Sequence, residues 1–187
     1  MSGAAGAGAA IWTVGHSSRS IEELVRILAG VPIRLLVDVR RMPRSRRYPQ
    51  FDQEALRAAL EGHGIVYHWA GAQLGGRRAP RPGSPHLALE EGLRGYADHM
   101  GTEAFARALD QLSRLAARGS LAILCAERDP ERCHRSLLAD ALVLRGHPVT
   151  HLIDGASHRP HVLHPQLRVV EGVPAYDLMV SAPLELQ

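Results

Sequence analysis

"IWTVGHSSRSIEELVRILAGVPIRLLVDVR", residues 11–40, decides the fold, because it changes periodicity twice. "IWTVGH" (11–16) is a short β-type run closed by Gly15. "SIEELVRILAG" (20–30) sets Ile21, Leu24, Val25 and Leu28 on one helical face. Ser20 with Glu23 three residues on forms a capping-box pattern, and Gly30 supplies the stop. "RLLVDVR" (34–40) then returns to a buried-type strand.

Working outward, the alternation continues. "FDQEALRAALEGHG" (51–64) is helical and "IVYHW" (65–69) is a strand. Residues 70–88, rich in Gly, Pro and Arg, form a loop, and two helical segments broken near "MGT" fill 89–118. "LAILCA" (121–126), the helix "PERCHRSLLADALVLRG" (130–146) and "VTHLI" (149–153) follow. The less regular "HRPHVLHPQLRVVEGVPAYDL" (158–178) reads as a loop with a small strand pair. Such alternation predicts an α/β fold: a mostly parallel sheet with helices on both faces, Rossmann-like and three-layered. The expected division is a flexible tail over residues 1–10 and a single domain over 11–187.

Composition narrows the chemistry. With 187 residues, 45% of them hydrophobic, the chain can bury a real core. No apolar run approaches the roughly 20 residues that span a bilayer. The start, "MSGAAGAGAA", lacks the pattern of a secretory signal, so the expected location is the cytoplasm, with both cysteines reduced. All 22 cationic side chains are arginine. A Schiff-base lysine and a P-loop lysine are therefore excluded, whereas arginine favours bidentate binding of phosphate or carboxylate. The net charge of +3 is modest, so nucleic-acid contact must rest on clustering.

Ligands of open α/β sheets bind beyond the carboxyl ends of the strands. Those ends carry Gly15, His16 and Ser17; Asp38 and Arg40; His68 and Trp69; and Cys125 and Glu127. In the segment after Cys125, helical spacing turns His134 toward the face of Leu137, Leu138 and Ala141, back at the strand ends. Asp129 is the expected N-cap before Pro130, and the free amides of that helix start with Arg135 would suit an anion. "DVRRMPRSRRYPQF" (38–51) interleaves five arginines, Arg46 among them, with Ser45, Tyr48 and Phe51, a pattern suited to phosphate contact and base stacking. The plainer alternative is a solvated loop anchored by Tyr48 and Phe51. "LGGRRAPRPGS" (74–84) adds Gly75 and Gly76 for close backbone approach, with Arg77.

Taken together, "TVGHS" (13–17), "DVRRMPRSRRYPQF" (38–51), "LGGRR" (74–78), "RGYADHM" (94–100) and "LCAERDPERCHRSLLADAL" (124–142) resemble the domain-of-unknown-function family 488. "PHVLHP" (160–165) resembles the histidine-bearing segment after that family's last core strand. The resemblance implies a compact bacterial or archaeal α/β protein with a shared site. That site would draw on His16, Ser17, Asp38, Arg40, Ser45, Phe51, Gly75, Gly76, Cys125, Glu127, Cys133, His134 and Arg135. It names no reaction.

The leading expectation is an arginine-rich cleft for a phosphate-bearing ligand, a nucleotide, DNA or RNA. Arg40, Arg46 and Arg135 hold phosphate there. His134 and Glu127 form an acid–base pair, Asp38 or His16 assists, and hydrolysis of a glycosidic or phosphoester bond fits these groups. No cofactor is required. A thiol or divalent-metal protein using Cys125, Cys133 and His134, with His16 or His161 as a further ligand, is the alternative. A noncatalytic binding module, with buried filler cysteines and a core histidine, is the third. His158, His161 and His164 are spaced by three, but the intervening proline means they need not share a face.

Overall fold

The computed structural model describes residues 10–178, so all of the expected tail but Ala10 lies outside the described residues. Five parallel strands form the sheet: β1 (Ile11–Gly15), β2 (Leu35–Asp38), β3 (Val66–Trp69), β4 (Leu121–Cys125) and β5 (Val149–Asp154). A sixth, β6 (Ser157–Pro160), joins β5 antiparallel, giving the order β3-β2-β4-β1-β5-β6. Six helices accompany them: α1 (Ile21–Ala29), α2 (Gln53–Glu61), the short α3 (Gly71–Leu74), α4 (Glu91–Met100), α5 (Glu103–Ala116) and α6 (Arg135–Leu144). The C-terminal strand pair is β7 (Leu167–Val170) with β8 (Val173–Tyr176).

Local chemistry accounts for these elements. The Ser20–Glu23 capping box closes reciprocally at the start of α1, and Leu24, Val25, Ile27 and Leu28 form its buried stripe. All five residues of β4 are buried, as a central strand covered on both faces requires. Alternation along the strands feeds two cores. Val14, Leu36, Leu124 and Leu152 pack against α1 and α2, while Ile11, Val37, Ile123 and Val149 pack against α4, α5 and α6.

The strand order creates a switch point. β1 and β4 are neighbours, yet the crossover from β1 runs through α1 to β2 while that from β4 runs through α6 to β5, on the opposite side. Their connections diverge and open a crevice at their carboxyl ends, the expected place for a ligand.

Two expectations are corrected. The 70–88 loop contains α3. The helix expected over 130–146 is split into a 3-10 turn at Pro130–Arg132, an extended Cys133 at φ −134°, ψ 143°, and α6 from Arg135. Asp129 does cap, but caps the 3-10 turn, accepting from the Glu131 amide at 3.0 Å.

Candidate functional site

At the switch point lies a cleft of about 700 Å³. One wall is the segment after β1, where Ser17 adopts a left-handed φ of 49°. Across the cleft Arg77 does the same, at φ 53°. Non-glycine residues held there cost on the order of 1–3 kcal/mol each and cluster at functional sites.

Six arginines are among the residues that line the cleft, Arg40, Arg41, Arg44, Arg47, Arg77 and Arg132, and Glu127 is the one acidic residue among the described lining residues. Arg40 is the fixed member. Its Nε donates to both Asp38 oxygens, at 3.0 and 3.1 Å, and its Nη2 to Oδ2 at 2.6 Å. Tyr67 also donates its hydroxyl to Asp38 Oδ2, at 2.6 Å. Burial and the Asp38 charge push the Tyr67 phenol upward, so it stays a donor.

Beside Arg40 stands His16, stacked on the buried Phe51 ring at 4.4 Å. Its Nδ1 donates to the Ser17 carbonyl at 3.0 Å, leaving Nε2 to accept from Arg40 Nη1 at 3.4 Å. Burial, reinforced by the Arg40 charge, lowers the His16 pKa to about 4. The loop carrying the other arginines is pinned: Ser45 donates its amide to Asp52 at 2.7 Å and its hydroxyl accepts from the Tyr48 amide at 3.0 Å. Arg47 lies over the Tyr48 ring at 5.4 Å.

Two thiols and an imidazole form the floor. Sγ of Cys125 and Sγ of Cys133 each lie 3.8 Å from His134 Nδ1, and the three side chains are buried. Burial alone would raise the Cys133 thiol. Hydrogen bonds from Cys125 and His134, with the Arg135 charge, instead hold it well below its ordinary value. Cys125, the donor in that pair and itself buried, is pushed up. His134 packs on Tyr96 at 4.8 Å, and its Nε2 has no hydrogen-bond partner among the described residues.

Arg135 supports this floor from behind. It is 1% exposed, and its donors go to Cys133 Sγ at 3.4 Å, Thr13 Oγ1 at 3.2 Å, and the Glu127 and Arg128 carbonyls at 2.6 and 3.3 Å. Behind Thr13 the bonds continue through His151 (2.7 Å) and His161 (3.0 Å) to Asp140 (2.8 Å). Direction follows from the two ends, since arginine only donates and an ionised carboxylate only accepts. Thr13 therefore donates to His151 Nδ1, His151 Nε2 donates to His161 Nδ1, and His161 Nε2 donates to Asp140. Burial and the neighbouring His161 lower the His151 pKa to about 3, consistent with its neutral form in that chain.

The cleft brings together His16, Ser17, Arg40, Ser45, Tyr48, Gly76, Arg77, Cys125, Glu127, Cys133 and His134, all marked from sequence. Others stand apart. Asp38 is wholly buried behind Arg40 and positions it. Arg135 is buried behind the floor with Nε, Nη1 and Nη2 all donating within the protein, and exposed Arg46 is absent from the lining, where Arg44 and Arg47 stand instead. A Cβ on Gly75 would meet Arg41 Cα at 2.9 Å, so its close approach is to the chain's own backbone. His68 and Trp69 face a separate groove under α5. His158, His161 and His164 pack respectively on Trp12, on Asp140 with His151, and on Tyr176. Sequence reading missed Arg132, whose signal was only its place in the turn after β4, and Tyr96, hidden in a helix.

A family model described as Domain of unknown function DUF488 matches residues 20–142. No curated protein and no solved structure matches the chain.

Proposed function

The chain belongs to the DUF488 family, and from the geometry of its cleft we propose that it binds a phosphate-bearing ligand, a nucleotide or nucleic acid, at the β1–β4 switch point. One observation carries this reading: six arginines and a single acidic residue line a cleft that also holds Cys133 and His134. Arg40, immobilised by Asp38, presents Nη1 at low entropic cost. The exposed Arg44 and Arg47 reach for further phosphates, with Tyr48 available for stacking. Hydrolysis of a bond in that ligand is the reaction these groups support best. Glu127 and the unpartnered Nε2 of His134 are the groups able to move its protons. Unpaired Cys125 and Cys133 accord with a reducing, cytoplasmic setting.

The test is binding and turnover of nucleoside phosphates and short oligonucleotides by the wild type, by Arg44→Ala/Arg47→Ala and by His134→Ala. The arginine variant should lose affinity at least tenfold. His134→Ala should bind within a few-fold of wild type yet turn over 100-fold or more slower. Wild-type affinity in the arginine variant would sink the ligand reading, and unchanged turnover in His134→Ala the hydrolytic one.

A further inference from the structure

The two thiols and the imidazole on the cleft floor have a geometry that acid–base chemistry does not require. We propose that Cys125 Sγ, Cys133 Sγ and His134 Nδ1 bind one thiophilic divalent metal ion of the zinc class, with its fourth position open to the arginine cleft.

The three ligand atoms lie within 4.8 Å of one another, and both sulfur–nitrogen separations are 3.8 Å. Tetrahedral zinc, with bonds of about 2.3 Å to sulfur and about 2.0–2.1 Å to nitrogen, needs sulfur–nitrogen edges of about 3.5 Å. A contraction of a few tenths of an ångström completes the site. Two thiolates and an imidazole select zinc-like ions over magnesium or calcium, which take oxygen ligands. The two thiolates also neutralise the dication, so the site needs no carboxylate beside so many arginines.

The surroundings fit a built site. Arg135 Nε donates to Cys133 Sγ at 3.4 Å, the kind of outer contact that fixes a ligating thiolate. Gly76 lets the chain pass against the imidazole, since a Cβ there would come within 2.6 Å of His134 Nδ1. All three ligands line the open cleft, which gives the ion its way in. The balance is simple: Cys133 binds as the thiolate, the Cys125 S–H proton leaves to solvent, the imidazole binds through Nδ1 with its proton on Nε2, and no electron is transferred. Three protein ligands with an open fourth position is the arrangement of catalytic rather than structural zinc sites. If the hydrolytic reading above holds, the attacking water sits at that position, His134 serves as ligand, and Glu127 takes the proton. Metal binding itself stands independently of that reading.

The test uses untagged protein stripped with a chelator and kept reduced with a phosphine. Titration with Co²⁺ should give the intense sulfur-to-cobalt absorption of a tetrahedral thiolate site, saturating at one equivalent and displaced by Zn²⁺. Cys125→Ser and Cys133→Ser should each weaken uptake more than ~100-fold, the upper end for losing an outer-shell partner alone. His158→Ala should leave it unchanged. Because both cysteines are buried and a variant can fail to fold, the wild type carries a second readout. Stoichiometric Zn²⁺, but not Mg²⁺, should protect both thiols from alkylation. No thiolate–cobalt band, full uptake in either serine variant, or equal alkylation with and without Zn²⁺ would overturn the proposal. Oligonucleotide binding measured on the same samples separates the two ideas: intact binding without metal uptake removes only the metal.

Discussion

His16 is held neutral by burial first and by the Arg40 guanidinium second, and that has a measurable consequence for stability. Its pKa is about 4 in the fold against 6.5 in the unfolded chain. Between those values the unfolded state takes up a proton that the native state refuses. The stabilisation is thus whole above pH 6.5 and lost as pH falls toward 4, about 3 kcal/mol in total. His151, lowered to about 3, acts in the same direction. Denaturant unfolding of His16→Gln from pH 7 to pH 4 should therefore show a shallower decline than wild type; parallel curves would contradict the assignment. At Gly76, alanine would drive a methyl group into His134. The expected cost is about 1–3 kcal/mol with displacement of the ring, read as lowered stability and weakened binding in the cleft. Undisturbed stability and binding would show that the ring can move freely. Residues such as His16 and Cys125 were legible in sequence because strand ends aim them at one edge; His134 lies there too, though the bend at Cys133 and not the expected helical phase puts it there. Arg135 was not legible: the same phase that points it inward also buries it, and only coordinates reveal that its donors are taken by carbonyls of residues 127 and 128.

Between elements, the bonds from Arg135 through Thr13, His151 and His161 to Asp140 tie α6, β1, β5 and the segment after β6 together. Asp140, wholly buried, also accepts from the Tyr176 hydroxyl at 2.9 Å and the His164 amide at 3.1 Å. Thr13→Val keeps the shape but leaves His151 Nδ1 and Arg135 Nη1 without their partner. Unfolding free energy should drop by about 1–3 kcal/mol, and no loss would mean that the chain of bonds is not formed in solution. Element order and type were readable from periodicity, and so was the capping box of α1. The break at Cys133 was not, because Pro130, Asp129 and the downstream leucines all fit a continuous helix. The extended residue is selected by tertiary contact: it turns both Cys133 and His134 toward Cys125.

Across the whole molecule, the order β3-β2-β4-β1-β5-β6 places the crevice between β1 and β4, a location that alternation alone cannot specify. Arginines from three separate segments (40–47, 77 and 132) then converge on a chain whose net charge is only +3. No helix among the described residues is long and apolar enough to cross a membrane. With so many arginines on one cleft, the proposed binding of a phosphate-bearing ligand would be electrostatic, with release of counterions from that ligand. The most direct measurement is the affinity for a short single-stranded oligonucleotide across a range of salt. Log affinity should fall linearly with log salt, by about 0.7 for each phosphate contacted, and Arg44→Ala and Arg47→Ala should each flatten that slope. An affinity indifferent to salt, or a slope unchanged by either substitution, would contradict a phosphate-binding cleft.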